Sequence, residues 1–257
     1  MRDLFCGDLS CPKLLENPEY YFADSRDELR RAIRENIYWG ARVIKIVVDG
    51  QRYQYSGGDI QFVVEEAGRA GVKVAAHVQT QSGARAAIEA RVASIEHGWE
   101  LTADDLALAK RHGVVLVSTD FTVRALLAQG MTKEAAMRSH ARRVERLRRA
   151  YQAGVTVVFG TDVMADVNGE SRGVTAIDYV DSFAEAEIPP ASILRAMTID
   201  AARLLGVERE RGALRVGQAA DIVAVPRNPL DDIESLKEVS FVMRDGRVHR
   251  HDLTVRP

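Results

Sequence analysis

The chain has 257 residues, of which 46% are hydrophobic and 28% are charged, and its formal net charge is −2. A chain of this size can form one large domain, or one domain with a small lobe. Its balanced charge excludes recognition of nucleic acid or of an anionic membrane through bulk charge. No apolar run reaches the roughly 18–20 residues of a membrane span, and the N-terminal segment lacks the apolar region of a signal peptide.

The only cysteines are Cys6 and Cys11. Two cysteines in a chain of this length do not make a disulfide framework, so we expect a protein of the reducing cytoplasm. The Cys-x4-Cys spacing leaves a metal clip as an alternative. It is the weaker one, because a structural zinc site usually has four ligands.

Patterns typical of helices and strands alternate along most of the chain. Apolar residues at helical spacing predict helices near residues 27–39, 59–70, 83–90, 103–111 and 132–152. β-branched and apolar runs predict strands at residues 43–48, 72–77, 92–97, 114–118 and 155–161. A helix before each strand is typical of a parallel sheet with crossover helices, so we expect an α/β fold.

Signals at the ends of the predicted helices support these boundaries. Ser25 is a suitable N-cap, and Glu28 follows three residues later as in a capping box. Three predicted helices end in a glycine just before an apolar strand, at Gly71, Gly113 and Gly154. Glycine at this point is the usual chemistry of a helix-to-strand loop in such a sheet.

The pattern changes after the fifth predicted strand. Residues 163–175 have the composition of a loop, and helices are predicted near 175–187 and 191–205. The remaining residues form short β segments with hairpin turns. We therefore expect one domain over residues 1–205 and a small β lobe over residues 206–257.

Three predicted strands end in a residue that can bind a metal ion: His77, His97 and Asp162. A fourth candidate, Lys45, lies inside its strand between two isoleucines. Functional residues of parallel α/β barrels lie at the carboxyl ends of strands, and imidazole and carboxylate groups suit Zn²⁺ or similar ions.

Each of these residues also has a structural interpretation. A histidine after an apolar strand is more often hydrogen-bonded in the core, and Asp162 can cap the next segment. Lys45 can extend from the sheet edge. A lysine in a buried strand, however, must lose its charge or find a partner.

Taken together and in this order, four segments resemble the amidohydrolase superfamily: Ile44-Lys45-Ile46, Ala75-Ala76-His77, Ser94-Ile95-Glu96-His97-Gly98 and Phe159-Gly160-Thr161-Asp162. The branch they resemble is the imidazolonepropionase-like and Xaa-Pro dipeptidase-like group. Further segments of the tail support it, near residues 196–198, 201–206, 217–223 and 228–233. The resemblance covers residues 26–250 and implies a (βα)8 TIM-type barrel, of which this chain carries about five units, strands 4–8.

The resemblance implies a role for each candidate. Lys45 would react with CO₂, and its carbamate would bridge two divalent ions, with zinc the first expectation. His77 and His97 would bind the second ion. Asp162 would bind the first ion, take a proton from the bridging water and pass it to the leaving amine. The implied enzyme is a metal-dependent hydrolase of amide or cyclic-amide C–N bonds in small or dipeptide-like substrates.

Two alternatives stay open. The first is an enzyme of the same superfamily that acts on lactones, esters or organophosphates, because the same metal-activated water attacks those substrates. The second is a non-catalytic, truncated remnant, because the chain departs from the family pattern. The family carries a His-x-His motif at the end of the first barrel strand, and none of the six histidines precedes His77.

The His249-Arg250-His251 motif is an unsuitable replacement, because it lies in a polar C-terminal stretch. We therefore expect the first three barrel strands and their histidines to be absent, and the first metal ion to be bound poorly by the chain alone. An uncovered edge at residues 43–48 would favour association, so we expect a homo-oligomer.

Substrate contacts would come from loops after the strands. The candidates are Arg52, Tyr53, Gln79 and Arg124, of which the arginines suit a substrate carboxylate. Exposed loop positions without a role are the alternative for each. The expected partner is a small-molecule substrate, with no nucleic acid and no membrane.

The predicted helix at 132–152 is rich in arginine, which is also typical of a nucleic-acid surface. An apolar stripe of Met137, Ala141, Val144, Leu147 and Tyr151 favours another interpretation. It predicts that the arginines lie on the outer face of a barrel helix.

Overall fold

A computed structural model describes residues 21–50, 54–163 and 169–252 of the chain. Ten α-helices lie in these ranges: α1 (Arg26–Tyr38), α2 (Gly57–Gly68), α3 (Gln81–Glu89), α4 (Ala103–His112), α5 (Val123–Ala128), α6 (Lys133–Gln152), α7 (Arg172–Ile177), α8 (Val180–Glu185), α9 (Pro190–Met197) and α10 (Ile199–Leu205). The strands are β1 (Val43–Val47), β2 (Lys73–Val78), β3 (Ser94–His97), β4 (Val115–Ser118), β5 (Val157–Phe159), β6 (Ile222–Ala224), β7 (Phe241–Arg244) and β8 (Arg247–His251). None of these helices has the length and apolar character needed to cross a bilayer.

The strands form two sheets. The first is a parallel five-stranded sheet in the order β1-β2-β3-β4-β5, so strands that follow one another along the chain are neighbours. The second is antiparallel, in the order β6-β7-β8. The predicted α/β class, the five strand positions and the β segments of the C-terminal stretch are confirmed.

Two compact units divide the chain, one of residues 1–116 with 153–155, the other of residues 117–152 with 156–257. The domain boundary expected after residue 205 stays a prediction. The five residues of β8 are all exposed, as expected for the polar stretch that carries His249 and His251.

Alternation of side chains explains how β1 and β2 are buried in the first unit. In β1, Ile44 and Ile46 are buried while Lys45 is exposed. In β2, Val74, Ala76 and Val78 are buried. Successive side chains of a strand point to opposite faces, so one face of these strands is covered by apolar packing and the other is not.

The helix ends follow the predicted capping signals. Ser25 accepts a hydrogen bond from the Glu28 backbone, and the Glu28 side chain accepts one from the Ser25 backbone, which confirms the capping box at the start of α1. The backbone of Gly71, Gly113 and Gly154 has positive φ, at 69°, 70° and 76°. Glycine adopts this conformation without steric cost.

Helix α6 corrects one prediction. Val144 and Leu147 of the predicted stripe are buried, but Met137 is 53% exposed and Arg146 is 0% exposed, so the buried face is rotated from the prediction. The buried face also holds two polar residues, Ser139 and His140. Arg146 can be buried because its guanidinium forms an ion pair with the carboxylate of Asp120. Apolar periodicity could not reveal this, because the partner lies outside the helix.

One short helix was not predicted, and two predicted helices each correspond to a pair of short helices. Helix α5 is a single short helix after β4, capped by Thr122, whose side chain accepts from the Ala125 backbone. The predicted helices near 175–187 and 191–205 are each two helices. Helices of six to eight residues carry too few apolar repeats for periodicity to separate them.

We expect Gly83→Ala to destabilise the protein, although alanine normally favours a helix. Gly83 lies in α3, and an added Cβ would overlap the Asp49 carboxylate. Asp49 is 3% exposed and is held by hydrogen bonds, so it cannot move aside. Overpacking of this kind costs about 1–3 kcal/mol, measurable by urea unfolding.

Gly68→Ala is the matched control. Gly68 lies in α2, and nothing stands within 4 Å of an added Cβ there. This variant should gain roughly 0.5–1 kcal/mol. Equal effects of the two substitutions would show that the space around Gly83 is not restricted.

Candidate metal site

Two of the four predicted metal residues lie together at the ends of neighbouring strands. The imidazole rings of His77 and His97 are 4.4 Å apart between centroids, with an interplanar angle of 73°. His77 is half-buried in β2, and His97 is 5% exposed at the end of β3. The structure therefore brings this pair together, and their role as metal ligands stays a prediction.

The conformation of His97 departs from a regular strand. His77 is in register with Glu96, and Val78 with His97, so regular alternation would place the His97 side chain on the face opposite to His77. His97 instead has φ of 71°, and Gly98 after it has φ of 57°. This left-handed turn lets the His97 ring reach that of His77. Uncommon backbone conformations of this kind cluster at functional sites.

Lys45 is on the same strand face as His77, because it is in register with Ala75, two residues before the histidine. Its side chain is exposed while both flanking isoleucines are buried. The expectation that a buried strand would enclose this lysine is therefore wrong. The alternation in β1 is the reason, since only one face of the strand is packed.

The electrostatic environment of His77 reflects its neighbours. Burial lowers the pKa of His77 below 6.5, the positive charge of Lys45 lowers it further, and Asp49 opposes both effects. The Lys45 amine is therefore within electrostatic range of the imidazole. A neutral imidazole, which a lowered pKa favours, is the form that binds metal ions.

We expect Lys45→Met to raise the pKa of His77 in the metal-free protein, without restoring it to 6.5 because burial remains. A histidine with a lowered pKa binds fewer protons when folded than when unfolded. The free energy of unfolding must then fall as the pH drops below 6.5, and the fall should be smaller in the variant. NMR titration of His77 and urea unfolding at several pH values measure both effects.

Lys73→Met provides the control, because Lys73 is another exposed lysine of the same sheet and is not among the charges that shift His77. A pKa of His77 that responds equally to both substitutions would contradict the assignment to Lys45.

Asp162 follows β5 in the second unit and is exposed. Its backbone has φ of 53°, a conformation that aspartate and asparagine adopt more readily than most residues. Burial raises the pKa of Tyr179, and the charge of Asp162 raises it further. Tyr179, which no sequence signal singled out, therefore lies within electrostatic range of Asp162. Its ring packs against Phe121, with centroids 5.7 Å apart.

The predicted substrate contacts have different positions. Arg52 and Tyr53 lie outside the described residues, as do Cys6 and Cys11. Gln79 contacts His77, with 3.1 Å between their Nε2 atoms.

Arg124 forms ion pairs with Glu170 and Asp178. The hydrogen bond to Glu170, followed by the charge of Asp178, raises the pKa of Arg124. The Arg124 guanidinium is therefore already paired with two carboxylates of its own unit. Its predicted contact with a substrate carboxylate stays a prediction.

A divalent ion fits this donor set in part. The adjacent imidazoles of His77 and His97 would supply two nitrogen ligands, and a catalytic zinc usually has three protein ligands. Within residues 21–50, 54–163 and 169–252, no group of three or more histidine, cysteine, aspartate or glutamate side chains is placed to hold a metal ion. The described residues therefore offer one pair of candidate ligands.

Comparisons with known proteins agree with these observations. Residues 6–249 match the amidohydrolase family profile. Ochratoxinase of Aspergillus niger is 32% identical over 248 residues, which cover 89% of this chain and 50% of that protein. Imidazolonepropionase of Symbiobacterium thermophilum is 31% identical over 176 residues, covering 66% of this chain and 37% of that protein. The chain thus spans about half the length of ochratoxinase.

The fold is also similar to that of a solved enzyme. A crystal structure of a Xaa-Pro dipeptidase with methionine bound in its active site has a TM-score of 0.79 and 27% identity, covering 95% of this chain and 65% of that one. The resemblance of the four sequence segments is thereby confirmed, and the chain belongs to the amidohydrolase family.

Proposed function

We propose that this chain carries the site of a metal-dependent hydrolase that cleaves amide or cyclic-amide C–N bonds in small or dipeptide-like substrates. The observation that carries the proposal is the pair of imidazole rings of His77 and His97, 4.4 Å apart at the ends of adjacent parallel strands. Ochratoxinase and the Xaa-Pro dipeptidase support it as relatives.

In this proposal His77 and His97 hold a divalent ion, with zinc the first expectation. A bound ion of this kind polarises the scissile carbonyl and makes water a nucleophile at neutral pH. Asp162 takes the proton of the attacking water and delivers it to the leaving amine. Lys45 is the proposed site of a carbamate formed with CO₂. The carbamate forms from the neutral Lys45 amine with release of a proton, and it would add an oxygen ligand.

The proposed architecture is a (βα)8 barrel to which the five parallel strands belong. Support comes from the helix before each strand and from the fold similarity to the dipeptidase. We further propose that the protein is a homo-oligomer in the cytoplasm. It acts on a small molecule and has no nucleic-acid or membrane partner.

The experiment combines metal analysis with a substrate panel. We expect an active form of the protein to contain a divalent ion and to cleave N-acyl amino acids or Xaa-Pro dipeptides in preference to lactones. His97→Asn should lose the ion while keeping the fold, since asparagine tolerates the positive φ of this position. His249→Asn, on the exposed strand β8, should keep both the ion and the fold. An ion that survives His97→Asn would remove this histidine from the site, and cleavage of lactones alone would change the substrate class.

A further inference from the structure

The imidazole ring of His140 joins two other elements of the second unit. His140 lies on α6 and is 7% exposed. Its Nδ1 is 3.0 Å from the backbone carbonyl oxygen of Phe121, in the loop after β4. Its Nε2 is 2.9 Å from Oε2 of Glu185, the last residue of α8. Both ring nitrogens therefore face an oxygen atom.

Both oxygens are acceptors, and this limits the protonation states in which the ring can bond to both. A carbonyl oxygen and an ionised carboxylate have no proton to donate. A neutral imidazole has one N–H group and can make one of the two bonds, whereas the imidazolium has two N–H groups and makes both. With Glu185 ionised, the arrangement is complete only when the ring of His140 is positively charged.

Charged groups of three elements lie around this contact. Burial raises the pKa of Asp120, in the loop after β4, and the charge of His140 is among those that oppose the rise. Glu185 is the carboxylate of α8. The positive groups are on α6 itself, and they are Arg143, Arg146 and Arg148. Arg146 is paired with Asp120 and Arg148 with Glu145. Glu185 therefore remains as the direct counter-charge of the ring.

The two bonds of His140 differ in what can replace them when the ring loses a proton. The side chain of Glu185 is 54% exposed, so water can solvate its carboxylate once it leaves the ring. The carbonyl of Phe121 faces a buried ring, and a carbonyl left unpaired there would cost free energy. We therefore expect the neutral ring to keep its Nδ1–H bond to Phe121 and to release Glu185.

We propose that the contact between His140 and Glu185 is a pH-sensitive tie that holds the end of α8 on α6. The tie is complete below the range of about pH 5–8 in which histidine titrates, and it is lost above that range. Its effect reaches the loop after β4, because Ser182 of α8 donates from Oγ to the Asp120 carbonyl at 2.9 Å. Loss of the tie therefore loosens one of the helices that hold this loop. The contact lies outside the proposed metal site, so it does not depend on the proposed function.

The protonation of the ring can be followed by ¹⁵N NMR of the full chain, labelled in its histidine rings. At about pH 5 we expect both ring nitrogens of His140 to carry protons, and at about pH 8.5 we expect a neutral ring. The remaining proton should be on Nδ1, which bonds to Phe121. A ring that keeps both protons at the higher pH, or that carries its single proton on Nε2, would overturn the proposal.

Amide hydrogen exchange at the end of α8 measures the tie itself. The backbone N–H groups of Ala186, Glu187 and Ile188 donate to carbonyls of α8, so their protection reports whether this end of the helix is held. We expect their protection factors to fall about 2–5-fold between the two pH values, the change expected from an exposed ion pair. A protection factor is a ratio to the exchange rate of the unfolded chain, so the direct effect of pH on exchange cancels.

Glu185→Gln should abolish this pH dependence. A glutamine amide can donate from its nitrogen to a neutral ring, and its oxygen can accept from a protonated ring. The tie is therefore kept at both pH values in this variant. Because the side chain of Glu185 is exposed, the variant should fold, and the comparison of pH values in the wild type needs no variant.

Glu145→Gln is the matched control, because the side chain of Glu145 is also 54% exposed and forms an ion pair with Arg148. This variant should show the same pH dependence as the wild type. Protection factors that fall equally in Glu185→Gln would assign the pH dependence to another group. Protection factors of the wild type that do not change with pH would show that the end of α8 does not respond to the ring. Either result would overturn the proposal.

Discussion

Asp162→Asn is expected to lower turnover by about 10²–10⁴-fold, the usual cost of losing a general base. The substituted amide cannot take a proton from the attacking water, and it cannot deliver one to the leaving amine. The measurement is the turnover rate on the amide that the substrate panel identifies, together with circular dichroism to check the fold.

The fold should survive this substitution for two reasons. Asp162 is exposed, and asparagine has nearly the same size and shape as aspartate. Its φ of 53° is also acceptable to asparagine, which visits the left-handed region as readily as aspartate does. A lost activity would then report on the carboxylate and not on the backbone.

Asp245→Asn is the matched control. Asp245 is also an aspartate with positive φ, at 49°, and its side chain is 50% exposed in an ion pair with Arg211. This variant should keep its activity. An Asp162→Asn enzyme as active as the control would remove Asp162 from the mechanism.

The sequence was sufficient to predict the sheet and part of the site. Strand positions could be read from β-branched runs, and the glycines before strands marked the ends of several helices. A parallel sheet brings the carboxyl ends of neighbouring strands to one edge, so strand order predicted that His77 and His97 lie at neighbouring strand ends.

Other features depend on contacts that no local pattern encodes. The left-handed turn at His97 changes which face its ring occupies, and a strand pattern of alternating residues cannot show it. The exposure of Lys45 depends on what covers the second face of β1. The contact between Gln79 and His77 depends on Asp49, which is 30 positions away along the chain. Each of these is a property of tertiary packing.

The second large effect is expected from Arg146→Met. Arg146 is 0% exposed and forms an ion pair with Asp120, which is 1% exposed. Removing one partner of a buried pair leaves an uncompensated charge, which costs about 3–5 kcal/mol. Arg250→Met should cost at most about 1 kcal/mol, because Arg250 and Asp252 form an exposed ion pair. Urea unfolding measures both variants.

The pH dependence of the Arg146→Met variant tests the origin of its cost. Burial raises the pKa of Asp120, and Arg146 opposes that shift, so the substitution should raise the pKa further. A carboxyl with a raised pKa binds more protons when folded than when unfolded. Relative to the wild type, the variant should therefore regain stability as the pH falls toward the ordinary aspartate pKa of 3.8.

The double variant Arg146→Met/Asp120→Leu distinguishes the cost of leaving Asp120 unpaired from the stability that the ion pair itself contributes. The double variant also removes the buried carboxylate that Arg146 compensates, and apolar replacements of buried ion pairs are often neutral or stabilising. The hydrogen bond from Ser182 Oγ to the Asp120 carbonyl is retained, because it uses the backbone. We expect the double variant to be more stable than Arg146→Met alone, with strong non-additivity between the two sites. Additive losses in the double variant would mean that each side chain is held by its own packing, and that the ion pair does not explain why an arginine lies on the buried face of α6.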